Sequence, residues 1–246
     1  MRWTKFLAAP CLAFPMLLAG QATQPPPPPA KAPALPVVPV PAPPPQVAPR
    51  FLVLLDPAHG GTNIGARLTA TLLEKDLTLD LADRLRSLLS ARGIEVTTTR
   101  TSDVTLSADN RAEIADHTPF AACILIHATA TGSGVHLYTS SLAPTQPAKF
   151  MPWETAQSAY VTQSLKLSSD IDSALAHAEI PVTLGRTSLQ PMDSFACPAV
   201  AVEVAPLIGG ESTKSKPITD ETYQRTILDA LTAALEEWRN DWREQP

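Results

Sequence analysis

Two histidines and two glutamates occupy the positions in this chain where chemistry is easiest to build. His59 follows Asp56-Pro57-Ala58 and precedes Gly60-Gly61, so the apolar run Phe51–Leu55 empties into an imidazole held in a glycine turn. His127 closes a second apolar run, Cys123-Ile-Leu-Ile, and Glu203 interrupts a third, Ala199-Val-Ala-Val-Glu-Val204. One histidine after a strand is more often structural than functional, but two at equivalent places in one sheet favour ligation. Glu74, in Leu73-Glu74-Lys75-Asp76, would alone be explained as an acidic residue at a helix N-terminus. Together, His59, Glu74 and His127 form the two-nitrogen, one-oxygen set that holds zinc and leaves a fourth position for water.

Glu203 calls for a different explanation. Apolar residues flank it on both sides of its strand, where an unpaired carboxylate would cost several kcal/mol. The pattern puts Arg186 in a loop and Arg225 in an exposed helix, with nothing to fix either against Glu203. A proton-shuttling role accounts for the carboxylate, since perturbed carboxylates cluster at active sites. Asp56, three residues from His59, is the candidate to orient its second ring nitrogen. His117 and His177 fall in polar helical contexts, and His136 lies in a strand with no glycine or acidic motif beside it. All three read as structural or surface residues.

The elements that must position these groups alternate. Phe51–Leu55 reads as a strand, and Leu77, Leu81, Leu85, Leu88 and Leu89 then stripe one helical face from Lys75 until Gly93 ends it. Ile94–Thr99 is a second strand, and a helix capped by Ser107 runs to about His117. Ala121–Ile126, Gly134–Thr139 and Ala199–Val204 complete the strands. Trp153 to about Ile180 reads as one long helix, and Thr219–Trp242 as an amphipathic one. The alternation predicts an α/β single domain: a mainly parallel twisted sheet with helices on both faces. In such sheets ligands gather beyond the carboxyl ends of the strands, which would align the two histidines along one edge.

The first fifth of the chain has another character. Arg2 and Lys5 precede the apolar stretch 6–19, and Gly20-Gln21-Ala22 supplies small residues for a signal-peptidase cut. Residues 1–22 are therefore expected to be an export signal, too short and too broken by Pro10 and Pro15 for a permanent membrane anchor. Residues 23–49 hold thirteen of the chain's 26 prolines and almost no charge, the composition of an extended linker. The folded domain is expected over 50–246, in the periplasm or cell envelope. A net charge of −5 with scattered basic residues argues against nucleic acid as a partner. Cys123 and Cys197 are equally readable as a disulfide or as two buried thiols.

From Phe51 onward the chain resembles the zinc-dependent N-acetylmuramoyl-L-alanine amidases of the amidase-3 group. Asp56-Pro57-Ala58-His59-Gly60-Gly61 resembles the opening zinc motif, Glu74-Lys75-Asp76 the second ligand segment, and Ile126-His127-Ala128 the third. Thr99-Arg100, Leu106–Ala115, Ser133-Gly134-Val135 and Pro198–Val204 resemble the intervening stretches and the segment bearing the essential glutamate. The chain departs from the pattern at Ala58, Leu125, Thr129 and Ala205-Pro206-Leu207, none of which removes a ligand. The resemblance implies Zn2+ on His59, Glu74 and His127, Glu203 as general base and acid, and peptidoglycan as substrate. The bond cut would be the amide between N-acetylmuramic acid and L-alanine. A non-catalytic wall-binding module and a zinc peptidase acting on stem peptides are the alternatives, and the resemblance assigns no protein regulator.

Overall fold

The three apolar runs that end in His59, His127 and Glu203 come to lie at the centre of one six-stranded sheet. In this computed structural model the described residues are 50–146, 152–210 and 214–243, so the export signal and proline-rich linker expected over 1–49 lie outside them. The strands are β1 (Leu52–Pro57), β2 (Glu95–Thr98), β3 (Ala122–Ala128), β4 (Val135–Ser140), β5 (Val182–Thr187) and β6 (Ala199–Val204), in the spatial order β2-β1-β3-β6-β4-β5. Four of them, β2, β1, β3 and β6, run parallel; β4 pairs with β6 antiparallel and with β5 parallel. The sheet is thus mainly parallel, as the alternation predicts.

Side-chain alternation along each strand divides the core unequally. One face carries Val53, Leu55, Ile124, Ile126, Val200 and Val202, and packs against α1 (Glu74–Ala91), α3 (Val161–His177) and α4 (Glu221–Arg243). The leucine stripe of α1 does what its spacing predicts, with Leu77, Leu81, Leu85 and Leu89 all buried. On the other face Leu54, Cys123, Leu125, Ala199 and Ala201 meet, among the described residues, the short α2 (Ala108–Asp116), Phe120, and a 3-10 turn at Met192–Ser194 with the Phe195 and Cys197 that follow it. His127, Glu203 and His136 share this thinly covered face, because each falls one residue out of phase with the neighbours that enter the larger core. Cover that stops short of the strand ends leaves a cleft there.

Local signals read correctly at several junctions. Ser107 Oγ accepts from the Asn110 N–H at 3.1 Å, capping α2, and Gly93 takes φ +70° just past α1. The long helix expected from Trp153 to Ile180 is instead a 3-10 segment, Trp153–Ala159, followed by α3. Thr155 breaks the first part with φ −128°, and Tyr160 separates the two. The segment after it, read as a loop around Arg186, is the edge strand β5. Two exposed residues, Thr183 and Leu184, hid the alternation there. Cys123 and Cys197 form a disulfide, with Cα atoms 6.1 Å apart. Among the described residues no helix is long and apolar enough to cross a membrane.

Candidate active site

The turn after β1 is unusual in three consecutive residues. His59, Gly60 and Gly61 have φ values of +63°, +130° and +57°, a left-handed run that swings the imidazole out of the strand direction. Glycine is required at the second and third positions: a Cβ on Gly60 would sit 2.3 Å from the Val104 carbonyl oxygen, and one on Gly61 2.1 Å from Thr105 Oγ1. Lys75 holds the same turn, donating to the Gly61 carbonyl at 3.0 Å and pairing with Asp103 at 2.6 Å, while Asp103 also accepts from the Gly61 N–H. The Lys75 hydrogen bond, followed by that of Gly61, keeps the Asp103 carboxyl below its usual range.

Two arginines that the sequence did not single out clamp this segment from beneath. Arg100, buried, donates to the carbonyls of Pro57, Ala58 and Lys75 at 2.8–2.9 Å. Arg111, also buried, donates to the carbonyls of Pro57 and His59, at 2.9 and 2.6 Å, and pairs with Asp56. Asp56 therefore does not buttress the His59 ring. It neutralises Arg111, which fixes the His59 backbone, and it also accepts from the Thr99 hydroxyl. The ring's second nitrogen goes to Asn63, whose Oδ1 lies 3.0 Å from His59 Nδ1. The available signal was an arginine on the Ala112–Ala115 side of α2, the side that faces the sheet.

His59, Glu74 and His127 converge. His59 Nε2 is 3.1 Å from Glu74 Oε2, His127 Nδ1 is 3.1 Å from Glu74 Oε1, and the two imidazoles stand edge to face with centroids 5.6 Å apart. One potential donor atom from each residue lies within 4.8 Å of the other two. Among the described residues no other trio of His, Cys, Asp or Glu meets that test. Glu74 opens α1 but does not cap it. Its oxygens turn away to accept the N–H groups of Ala66 at 2.8 Å and Ala128 at 3.2 Å as well as facing the rings. Burial alone would raise the Glu74 carboxyl, but the His127, His59 and backbone hydrogen bonds outweigh it and hold it far below the ordinary range. The Glu74 hydrogen bond raises the His59 pKa, against the opposing effect of burial. A carboxylate kept ionised between two imidazoles is the donor chemistry of a divalent transition-metal site.

Register brings Glu203 beside this trio. It pairs with His127 across β3 and β6 and with His136 across β6 and β4. Its environment corrects the sequence expectation of a fully buried carboxylate: the side chain is 28% exposed and its partner is His136, with Nδ1 2.7 Å from Glu203 Oε2. Arg186 lies in β5 and donates to the carbonyls of Ser140 and Leu142, and Arg225 faces Asp229 on the surface. His136 is thus part of the site, which sequence pattern missed, whereas His117 and His177 are exposed as expected. Cavities of about 250 Å³ and 140 Å³ open on either side of His127, the first reaching Glu203, Tyr138 and Thr187 and the second His59 and Asn63. A larger hollow of about 680 Å³ between α1 and α4 contains none of these residues.

Comparison with known proteins places the chain in a family. The family model described as N-acetylmuramoyl-L-alanine amidase (Amidase_3) matches residues 53–237. The chain belongs to the N-acetylmuramoyl-L-alanine amidase family. Among curated relatives, the amidase AmiC of Neisseria meningitidis is 31% identical over 148 residues, 55% of this chain and 34% of the relative. AmiC of Escherichia coli is 24% identical over 227 residues, covering 78% and 53% respectively. The chain therefore spans about a third to a half of the length of these family members. Among solved structures, the amidase Ami1 from Mycobacterium smegmatis superposes with a TM-score of 0.60 at 21% identity, over 80% of this chain and all of that one, which establishes the shared fold.

Proposed function

We propose that the chain is a zinc-dependent hydrolase of peptidoglycan that cuts the amide between the lactyl group of N-acetylmuramic acid and L-alanine. The observation that carries this reading is the convergence of His59, Glu74 and His127 at the carboxyl edge of the sheet, with Glu203 one strand away. The donor set suits zinc, and Glu74, held ionised, supplies the negative charge that a divalent cation needs. The chemistry zinc supplies when bound is polarisation of the scissile carbonyl and a water pKa lowered toward about 7. Asn63 orients the His59 ring, and the Arg100–Arg111 clamp fixes the backbone from which that ring projects. Glu203 accepts the proton of the attacking water and delivers it to the departing alanine nitrogen as the C–N bond breaks, leaving a lactyl carboxylic acid and a free amine. General acid–base transfer of this kind contributes about 100- to 10,000-fold.

The Cys123–Cys197 disulfide suits an oxidising compartment, in keeping with export to the periplasm or envelope under a signal at residues 1–22. Residues 23–49 would then be the linker between that signal and the domain. Digestion of purified peptidoglycan with and without a chelator, followed by mass spectrometry, tests the reading. Free L-alanine amino termini on released peptides, formed only without chelator, are expected. Cuts within stem peptides would reassign the enzyme as a peptidase, and no release at all would leave a wall-binding module.

A further inference from the structure

Glu203 has two oxygens, and the proposed reaction needs one of them aimed at the attacking water. Nothing in β6 itself fixes which one, since a glutamate rotates about three bonds and this one is partly exposed. The neighbouring strand supplies the constraint. Because β4 runs antiparallel to β6, its second residue, His136, lies directly opposite the penultimate residue of β6, Glu203. His136 Nδ1 meets Glu203 Oε2 at 2.7 Å, and among the described residues His136 is the one side chain that hydrogen-bonds Glu203. The ring is itself held. Gly132, at φ +87°, packs so close behind it that a Cβ there would lie 2.5 Å from His136 Cε1 and 2.8 Å from Nε2. The Tyr138 ring stands edge-on 6.4 Å away, on the same sheet face.

We propose that His136 is a positioning residue for the reaction, its Nδ1–H holding Glu203 Oε2 so that Oε1 is the oxygen presented to water. An ionised carboxylate is an acceptor only, so the shared hydrogen must sit on Nδ1. This inference rests on the reading of Glu203 as the proton carrier. A purely structural contact would show in unfolding stability and leave the chemical step untouched.

Steady-state kinetics of the zinc-loaded full chain on a soluble muramoyl-peptide substrate, together with zinc content and imidazole nitrogen NMR, test it. His136→Ala is expected to lower kcat about 10- to 100-fold, the usual range for an outer partner that orients a reacting group. KM should stay within about twofold and zinc at wild-type stoichiometry. His136→Asn, whose amide nitrogen can occupy the place of Nδ1, should recover most of the lost rate. NMR of the zinc-free chain should show His136 protonated at Nδ1, with that signature lost in Glu203→Ala. A wild-type kcat for His136→Ala while Glu203→Gln is inactive would overturn the positioning role and leave Glu203 in place, as would an Nε2–H tautomer in the wild type. Full activity in Glu203→Gln would instead remove the carboxylate from the mechanism and the His136 proposal with it. If His136→Ala fails to fold, Gly132→Ala serves as the second perturbation, with the same kinetic and NMR outcomes deciding.

Discussion

Gly65 offers a way to disturb the metal ligands without changing any of them. Its φ is +66°, and a Cβ built there would lie 2.6 Å from both Glu74 Oε2 and His59 Cδ2, and 2.8 Å from Glu74 Cβ. The last contact persists however the carboxylate rotates, whereas the first two fall on the ligand groups themselves. Gly93 supplies the control: its φ is +70°, yet nothing lies within 4 Å of the corresponding Cβ. Both alanine variants carry the left-handed backbone cost, about 1–2 kcal/mol. Gly65→Ala adds overpacking of about 1–3 kcal/mol, and the metal-free protein can shed the part that falls on Glu74 Oε2 and His59 Cδ2 by letting those groups swing apart. A bound ion forbids that relaxation, so the extra cost should appear as lost affinity, about 5- to 150-fold at about 1.4 kcal/mol per decade. Zinc competition against a chromophoric chelator measures it, and unfolding of both variants in the presence of chelator measures separately the cost left by the Glu74 Cβ contact. Equal zinc affinity in Gly65→Ala and Gly93→Ala would refute the convergence of these side chains on one ion.

Three further outcomes follow from the surrounding scaffold. Arg111→Met leaves the buried Asp56 carboxylate without its ion-pair partner and should cost about 3–5 kcal/mol in urea unfolding, and a loss under about 1 kcal/mol would contradict the clamp. Burial pushes the Tyr223 hydroxyl from its ordinary 10 up to about 12, so the folded state resists its ionisation. That contribution is complete below pH 10 and disappears as pH rises toward 12. Wild type should therefore lose about 2–3 kcal/mol across that window, and Tyr223→Phe, already weaker by about 1–2 kcal/mol for want of its contacts to the Gly134 and Ala205 carbonyls, should show a flatter alkaline limb. The Cys123–Cys197 bond spans 74 residues, and Cys123→Ala/Cys197→Ala should lower stability by about 2–4 kcal/mol, with thermal unfolding of the wild type shifted by reductant and that of the double variant not.

What could be read from the sequence and what could not divide along a physical line. Strand runs, the leucine stripe of α1, the Ser107 cap and the Gly93 stop are set by periodicity and local backbone preference, and these were legible. So were His59 and His127, because a strand ending in histidine is itself a local pattern, and Glu74 once those two were in view. The partners of these residues were not legible, because each arrives from another element. Asn63 replaces Asp56 on the imidazole because the left-handed turn rotates the ring away from the strand, while Asp56 turns inward to Arg111, 55 residues along the chain. Glu203 was expected to be sealed between two apolar faces, which holds only if both faces are equally covered. Here one face carries three long helices and the other a short helix and a 3-10 turn, so the same alternation that buries Val202 and Val204 opens Glu203 to a cleft. His136 was invisible for the strongest version of this reason. Its significance depends on β4 running antiparallel in an otherwise parallel neighbourhood, which puts the start of one strand against the end of another. No property of residues 134–139 alone encodes that direction. A site assembled at a change of strand direction draws most of its groups from strand ends, where sequence motifs point, and one, His136, from a strand beginning, where they do not.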